Sequence, residues 1–143
     1  ITGIAASFAQ RMGMADRFDA IPGNYHEVDL GSSAFDLAIV ANVTHIETPE
    51  GNVDLLRRVR AALRPGGEIA IVDMIPAQPE GRLSASLYAL GLGLRTESGQ
   101  VHGSDALQQY LREAGFRNLV VEPIPAPPFT MGMVMACRGD GRC

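Results

Sequence analysis

From Leu55 to Pro76 the chain reads LLRRVRAALRPGGEIAIVDMIP, and no other run restricts the possible folds as much. Val53, Leu56, Val59, Arg60 and Leu63 recur at helical spacing, Pro65-Gly66-Gly67 stops the helix, and Glu68 to Ile75 continues as an apolar strand. Just ahead lies a second apolar run, Phe35 to Val40 (FDLAIV), near-continuous as in a parallel strand covered on both faces. Strand, helix and strand in this order make the repeating unit of a parallel sheet.

The remaining segments extend that unit. Ile1, Ile4, Ala5, Phe8, Ala9 and Met12 share a helical face with Gly13 behind them, which predicts an opening helix with a glycine stop. Arg17 to Pro22 (RFDAIP) alternates as a short strand that Gly23-Asn24 would end. After a polar loop from Gln78 to Gly81, Leu83, Leu87, Leu90 and Leu94 form one apolar stripe with Tyr88 beside it. Ser104-Asp105 opens another helix, whose buried face is Leu107, Leu111 and Ala114 and whose end is Gly115. The last two strands, Asn118 to Ile124 and Thr130 to Arg138, are joined by PAPP, far too short for a crossover helix, so they should pair antiparallel. The expected class is α/β, a doubly wound sheet closing with an antiparallel hairpin. Such sheets bind ligands at the carboxyl ends of their strands, so the candidates for chemistry are the residues just after each strand.

Composition narrows the partners. The 143 residues fit one domain, and a net charge of -4 argues against nucleic acid or an anionic membrane surface as the main partner. Every basic residue is Arg, and Arg57, Arg58, Arg60 and Arg64 read as the solvated face of one helix. The two cysteines, Cys137 and Cys143, are too few for a disulfide framework, and nothing has metal-ligand spacing. Neither a secretory signal nor an apolar stretch of spanning length is found, so cytoplasm is the default location.

FDLAIVANVTHIETPEGN, followed by LLRRVRAALRPGGEIAIVDMIP and then by LREAGF ahead of a hairpin, resembles the S-adenosylmethionine-dependent methyltransferases of the small-molecule O-methyltransferase family. The resemblance implies a Rossmann-like methyltransferase sheet with a C-terminal antiparallel hairpin, lacking the first two strands. It implies S-adenosylmethionine as cofactor, lying across the strand ends. Asn24 and Tyr25 then stand where the family has an Asp and an apolar residue beside the adenine, and Ala41 and Asn42 follow the fourth strand. Asn24 offers a weaker acceptor than Asp would, and beside Gly23 it reads equally well as a turn residue. His45 occupies the place of the histidine that takes the proton from the acceptor hydroxyl, a task suited to imidazole with its ordinary pKa of about 6.5. Asp73 falls where plant-type members carry the Glu that orients that histidine, whereas their second orienting Glu falls at Val101 and is missing. His26 and His102 are read as solvated loop histidines, and the alternation of Met131, Met133 and Met135 as strand packing. The Leu83 to Leu94 helix would line the acceptor pocket or meet a second subunit, and core packing accounts for its leucines equally well.

The family's glycine-rich cofactor turn is not found: no G-x-G-x-G follows a strand, and Gly91-Leu92-Gly93 lies inside a helical stripe. The chain opens at Ile1 inside a helix, so residues 1–143 are expected to be a partial catalytic domain, with upstream residues supplying an apolar strand, the glycine turn and an acidic residue. Two functions follow. One is metal-independent methyl transfer to a hydroxyl of a small aromatic or polyketide-like acceptor, in a protein that forms a homodimer. The other is a catalytically inactive methyltransferase-like fold serving as a dimerisation or binding module. A nicotinamide-dependent oxidoreductase fits worse, since a Tyr-x-x-x-Lys pair cannot exist without Lys.

Overall fold

The computed structural model describes residues 2–75, 82–126 and 129–139. Its order is α1 (Thr2–Arg11), β1 (Phe35–Ala41), α2 (Pro49–Ala62), β2 (Leu63–Asp73), α3 (Arg82–Gly93), α4 (Ser104–Glu113), β3 (Arg117–Ala126) and β4 (Phe129–Cys137). The strands form one sheet in the order β1-β2-β4-β3. β1 and β2 are parallel, while β4 runs antiparallel to both β2 and β3, as the short PAPP connection requires. The polar loop expected from Gln78 to Gly81 lies outside the described residues.

Local chemistry fixes the central unit. Thr48 caps α2 by accepting the Gly51 amide at 3.0 Å, with Pro49 at the first helical position. The helix then buries Val53, Leu55, Leu56, Val59 and Ala62 on one side. The helix ends at Ala62, so Pro65-Gly66-Gly67 falls inside β2, which starts at Leu63 and not at the expected Glu68. Gly66 holds φ at +79°, and a Cβ on Gly67 would lie 2.9 Å from the Arg64 carbonyl oxygen and 3.2 Å from that of Asp36. The two glycines thus let β2 swing in beside β1, at the point where the strand register shifts. Leu56, Leu63, Ile69, Ile71, Leu107, Leu111, Phe116 and Val134 meet in one core, which brings α2 and α4 onto the sheet.

Two of the four arginines on and just after α2 are not simply solvated. Arg58 donates to the carbonyls of Tyr25 and Val28, tying the segment before β1 to the helix. Arg60 donates to the carbonyls of Gly115 and Arg138, both at 3.1 Å, and so clamps the end of α4 and of β4. Arg57 and Arg64 do stay on the surface, the latter in a two-pronged pair with Asp36 at 2.8 Å.

Three expectations need correction. Arg17 to Pro22 is not a strand: a 3-10 turn at Ala15–Arg17 leads into irregular backbone, with Phe18 42% and Ile21 56% exposed. A strand needs a ladder partner, and Arg58 instead draws the following segment toward α2. β1 is not covered on both faces, since Phe35, Leu37 and Ile39 are exposed and only Val40 is buried. The leucine stripe of α3 does not pack in the core either. Leu83, Leu87, Leu90 and Leu94 point outward, while Ala85 and Leu92 are buried and Tyr88 is half-buried beside them. The opening helix forms as expected, yet Ile4, Phe8 and Met12 on it are exposed. Among the described residues no helix is long and apolar enough to cross a membrane.

The inverted burial of α3 can be checked by stability. Leu56 is fully buried and Leu87 is 61% exposed. Leu56→Ala should cost about 2–5 kcal/mol in urea unfolding of the chain, and Leu87→Ala no more than about 0.5 kcal/mol. Equal losses would place the leucine stripe inside.

Candidate active site

The carboxyl ends of β1 and β2 carry the site. After β1 the backbone turns at Asn42, where φ is +55°, and its amide donates to the Val72 carbonyl at 2.9 Å. A single 3-10 turn, Thr44–Ile46, then brings His45 inward, and the ring is buried. Four successive carbonyls of this loop are held from outside. Thr44 takes the Asn52 side-chain amide at 3.0 Å, His45 the Gln100 amide at 2.8 Å and Ile46 the Ser98 hydroxyl at 3.1 Å, while the His102 Nε2 lies 3.2 Å from the Glu47 carbonyl.

Asp73, at the end of β2 and 2% exposed, accepts from all sides. Its Oδ2 receives the Thr44 hydroxyl at 2.6 Å and the His45 amide at 3.3 Å, and its Oδ1 receives the Met74 amide at 2.8 Å. The same Oδ1 stands 2.7 Å from His45 Nδ1. A carboxylate is an acceptor only, so Nδ1 carries the ring proton and the imidazole lone pair lies at Nε2. Nε2 faces Tyr88, whose hydroxyl is 3.1 Å away. Beside this pair is a cavity of about 130 Å³ lined by Asn42, Met74, Tyr88 and Met131. Sequence order pairs His45 with Asp73; nothing but the face of α3 opposite its leucines could have pointed to Tyr88. Met131 faces this cavity, so the methionine alternation is not packing alone. Val101, half-buried, leaves the second orienting carboxylate missing.

His102 is not solvated. It is buried, with Nδ1 3.2 Å from the Tyr110 hydroxyl and Nε2 among the Glu47 carbonyl and the Asn52 amide. It is a brace for the His45 loop. His26 does stay on the surface, paired at 3.0 Å with the buried Glu47 carboxylate, which also accepts the Tyr25 hydroxyl.

The four residues expected near the cofactor stand in two settings, a turn before β1 and the end of β1. Asn24 is exposed and closes a turn: its Oδ1 accepts the His26 amide at 3.1 Å, and its carbonyl accepts the amides of Glu27 and Val28. The Tyr25 hydroxyl is held by Glu47. Ala41 and Asn42 are exposed at the end of β1, open to a ligand lying across the strand ends.

Fold and site together define a methyltransferase-type α/β domain. Residues 2–117 match the sequence profile of the O-methyltransferase domain, and the chain belongs to that family. It is 30% identical over 129 residues to the L-tyrosine C(3)-methyltransferase of Streptomyces lavendulae, a match covering 88% of this chain and 35% of that protein. Methyltransferase CalO6 shares the fold with a TM-score of 0.77 and 27% identity, over 92% of this chain and 44% of that one. Human N-acetylserotonin methyltransferase in complex with SAM gives a TM-score of 0.70 at 24% identity, over 87% of this chain and 34% of that one. The chain therefore spans about a third of the length of the curated relatives it matches.

The Tyr25–Glu47 contact has a titration signature. Burial, then the hydrogen bond to Glu47 and the charge of that carboxylate, push the Tyr25 hydroxyl up from 10.0 to about 12. The raised value favours the folded state fully below pH 10, and that contribution is lost as pH rises from there through about 12. An ultraviolet phenolate titration should show all three tyrosines ionising above the ordinary range, with a component at about pH 12 that is absent in Tyr25→Phe. A titration that Tyr25→Phe leaves without loss of its highest component would mean that the contact does not persist in solution.

Proposed function

We propose that the protein to which this chain belongs transfers a methyl group from S-adenosylmethionine to a hydroxyl of a small-molecule acceptor, with His45 as the general base and Asp73 as the residue that orients it. One observation carries the reading: Asp73 fixes the His45 proton on Nδ1, so that the basic Nε2 faces the Tyr88 hydroxyl, and Tyr88 borders a cavity beyond the strand ends. A catalytically inactive binding module has no need of a buried carboxylate spent on the tautomer of one histidine.

When bound, S-adenosylmethionine supplies a methyl group on a positively charged sulfur. The chain's own part is proton transfer. As the acceptor oxygen bonds to the methyl carbon, its proton passes to His45 Nε2, and Asp73 stabilises the imidazolium that forms. His45 Nε2 and Asp73 would thus hold the proton released at the acceptor oxygen. Met74, Met131 and the Tyr88 ring suit an aromatic or polyketide-like acceptor. Removing a phenolic proton would activate ring carbon as well as oxygen, so the same base serves either product.

The residues fit the cofactor in part. Ala41 and Asn42 offer one open wall, and the Tyr25 hydroxyl is taken by Glu47; we assign the adenine edge to Ala41 and Asn42, with Asn24 and Tyr25 shaping the loop beside it. Residues 1–143 are in this reading the C-terminal part of a catalytic domain whose glycine turn lies elsewhere in the protein. The uncovered apolar side chains of β1 and α1 support it, and the outward leucines of α3 offer the surface a homodimer would use.

Two measurements test this. By calorimetry the chain alone should bind S-adenosylmethionine more weakly than micromolar, about -8 kcal/mol, because only one wall of the site is present. Micromolar binding would mean that the cofactor site is built otherwise. In the whole protein, His45→Ala should lower turnover by ~10² to 10⁴-fold with cofactor affinity nearly unchanged, and the wild-type rate should fall as acid protonates the imidazole. Retained turnover with an unaltered pH profile would remove His45 from the mechanism.

A further inference from the structure

The His45 nitrogen that must meet an acceptor is already occupied. Neutral imidazole has one lone pair in the ring plane, and with Nδ1 protonated toward Asp73 that lone pair is on Nε2. The Tyr88 hydroxyl sits 3.1 Å from it and is the donor there. A single lone pair does not take two well-aligned O–H donors, so Tyr88 and an acceptor hydroxyl exclude one another. The rings stand edge to face, with centroids 5.4 Å apart and planes at 79°. The cavity beside them is also small. At about 130 Å³ it is well below the ~300–1,000 Å³ of pockets that hold drug-sized ligands.

Resting on the methyl-transfer reading only for the identity of the occupant, we propose that Tyr88 is a displaceable stopper and a specificity residue of the acceptor site: its hydroxyl holds the place on His45 Nε2 that the acceptor's hydroxyl must take. An acceptor enters as the Tyr88 ring turns away, which enlarges the cavity. The lost Tyr88–His45 hydrogen bond is regained only by a molecule that brings its own O–H. Ligands without a hydroxyl leave Nε2 bare and are rejected. Tyr88 is free to turn because it is half-exposed, on a helix whose neighbouring leucines face solvent. Burial and the Asp73 charge, opposed by Arg95, raise its pKa, which keeps the hydroxyl a donor at neutral pH.

Phenol itself is the probe, with anisole as its partner lacking the O–H. Titrated into the chain and followed by nitrogen-15 signals of the His45 ring, phenol should replace Tyr88 on Nε2 and move the Tyr88 ring signals, whereas anisole should not. Tyr88→Phe keeps the ring but frees the lone pair. It should bind phenol about threefold to tenfold more tightly, the range expected for one net hydrogen bond no longer broken. In Tyr88→Phe with His45→Ala that gain should vanish. The proposal is overturned if phenol binds with the Tyr88–Nε2 contact intact, if Tyr88→Phe binds phenol no better than wild type, or if millimolar phenol leaves its His45 signals unmoved. Failure of the methyl-transfer reading is separate: the whole protein would then show phenol exchange at Nε2 but no methylation of any hydroxyl acceptor.

Discussion

The carboxylate of Asp73 holds the site together. Four hydrogens converge on its two oxygens, from the Thr44 hydroxyl, the His45 amide, the His45 ring and the Met74 amide. Satisfying a buried carboxylate this fully offsets the cost of taking its charge out of water. It also couples two elements that the chain separates by a whole helix, because the end of β2 now grips the loop after β1. Every other feature of the site follows from that grip. The ring proton of His45 goes to Nδ1, its lone pair to Nε2, and the loop's outward carbonyls are left for Asn52, Gln100, Ser98 and His102 to hold.

That grip was half legible in the sequence. Parallel strands with a helix between them place the residues after each strand at one edge, so the neighbourhood of His45 and Asp73 follows from element order alone. Distances do not, because they depend on a 3-10 turn and on the left-handed backbone of Asn42, neither of which has a periodic signature. Elements with strong periodicity, α2 and α4 above all, form where expected. Elements read from alternation alone fare worse. RFDAIP has the residues of a strand and forms none, since a strand is defined by its neighbour and that neighbour is not in its own sequence. The stripe on α3 misleads for a related reason. Leucines at helical spacing mark a face that can be buried, and only the surroundings decide whether it is; here the small Ala85 and the polar-tipped Tyr88 face inward instead.

Apart from the leucines of α3, many of the exposed apolar side chains fall on two segments. β1 presents Phe35, Leu37 and Ile39, and α1 presents Ile4, Phe8 and Met12. A parallel strand with one edge and much of its surface unpaired is an open template for another chain, which natural sheets seldom leave without charge or cover. The opposite side of the sheet carries no such burden: β3 and β4 close it as a hairpin, and Arg60 ties the ends of α4 and β4 together. Burial in this chain is thus graded, deepest where α2 and α4 meet β2 and β4 and least along β1.

Two histidines show how one local arrangement serves two purposes. His45 with Tyr88 and His102 with Tyr110 are near-copies: ring centroids 5.4 Å apart in both, planes at 79° and 81°, and a tyrosine hydroxyl within 3.2 Å of a ring nitrogen. The difference lies in the other nitrogen. His102 turns its Nε2 to the Glu47 carbonyl, with the Asn52 amide nitrogen beside it, and the ring is a strut. The strut is not free of strain in its hydrogen bonding, because Asn52 Oδ1 is left buried without a partner among the described residues. Turning the amide to relieve it would take the donor away from Thr44, and the His45 loop would lose its first tether. His45 has its inner nitrogen on a carboxylate, which cannot share its role as acceptor, and its outer nitrogen on a hydroxyl that a cavity allows to move. Each histidine thus keeps one nitrogen on an acceptor and the other on a tyrosine hydroxyl; what separates them is the acceptor, a charged carboxylate at His45 and a neutral backbone carbonyl at His102, so only His45 has a partner that stabilises an imidazolium.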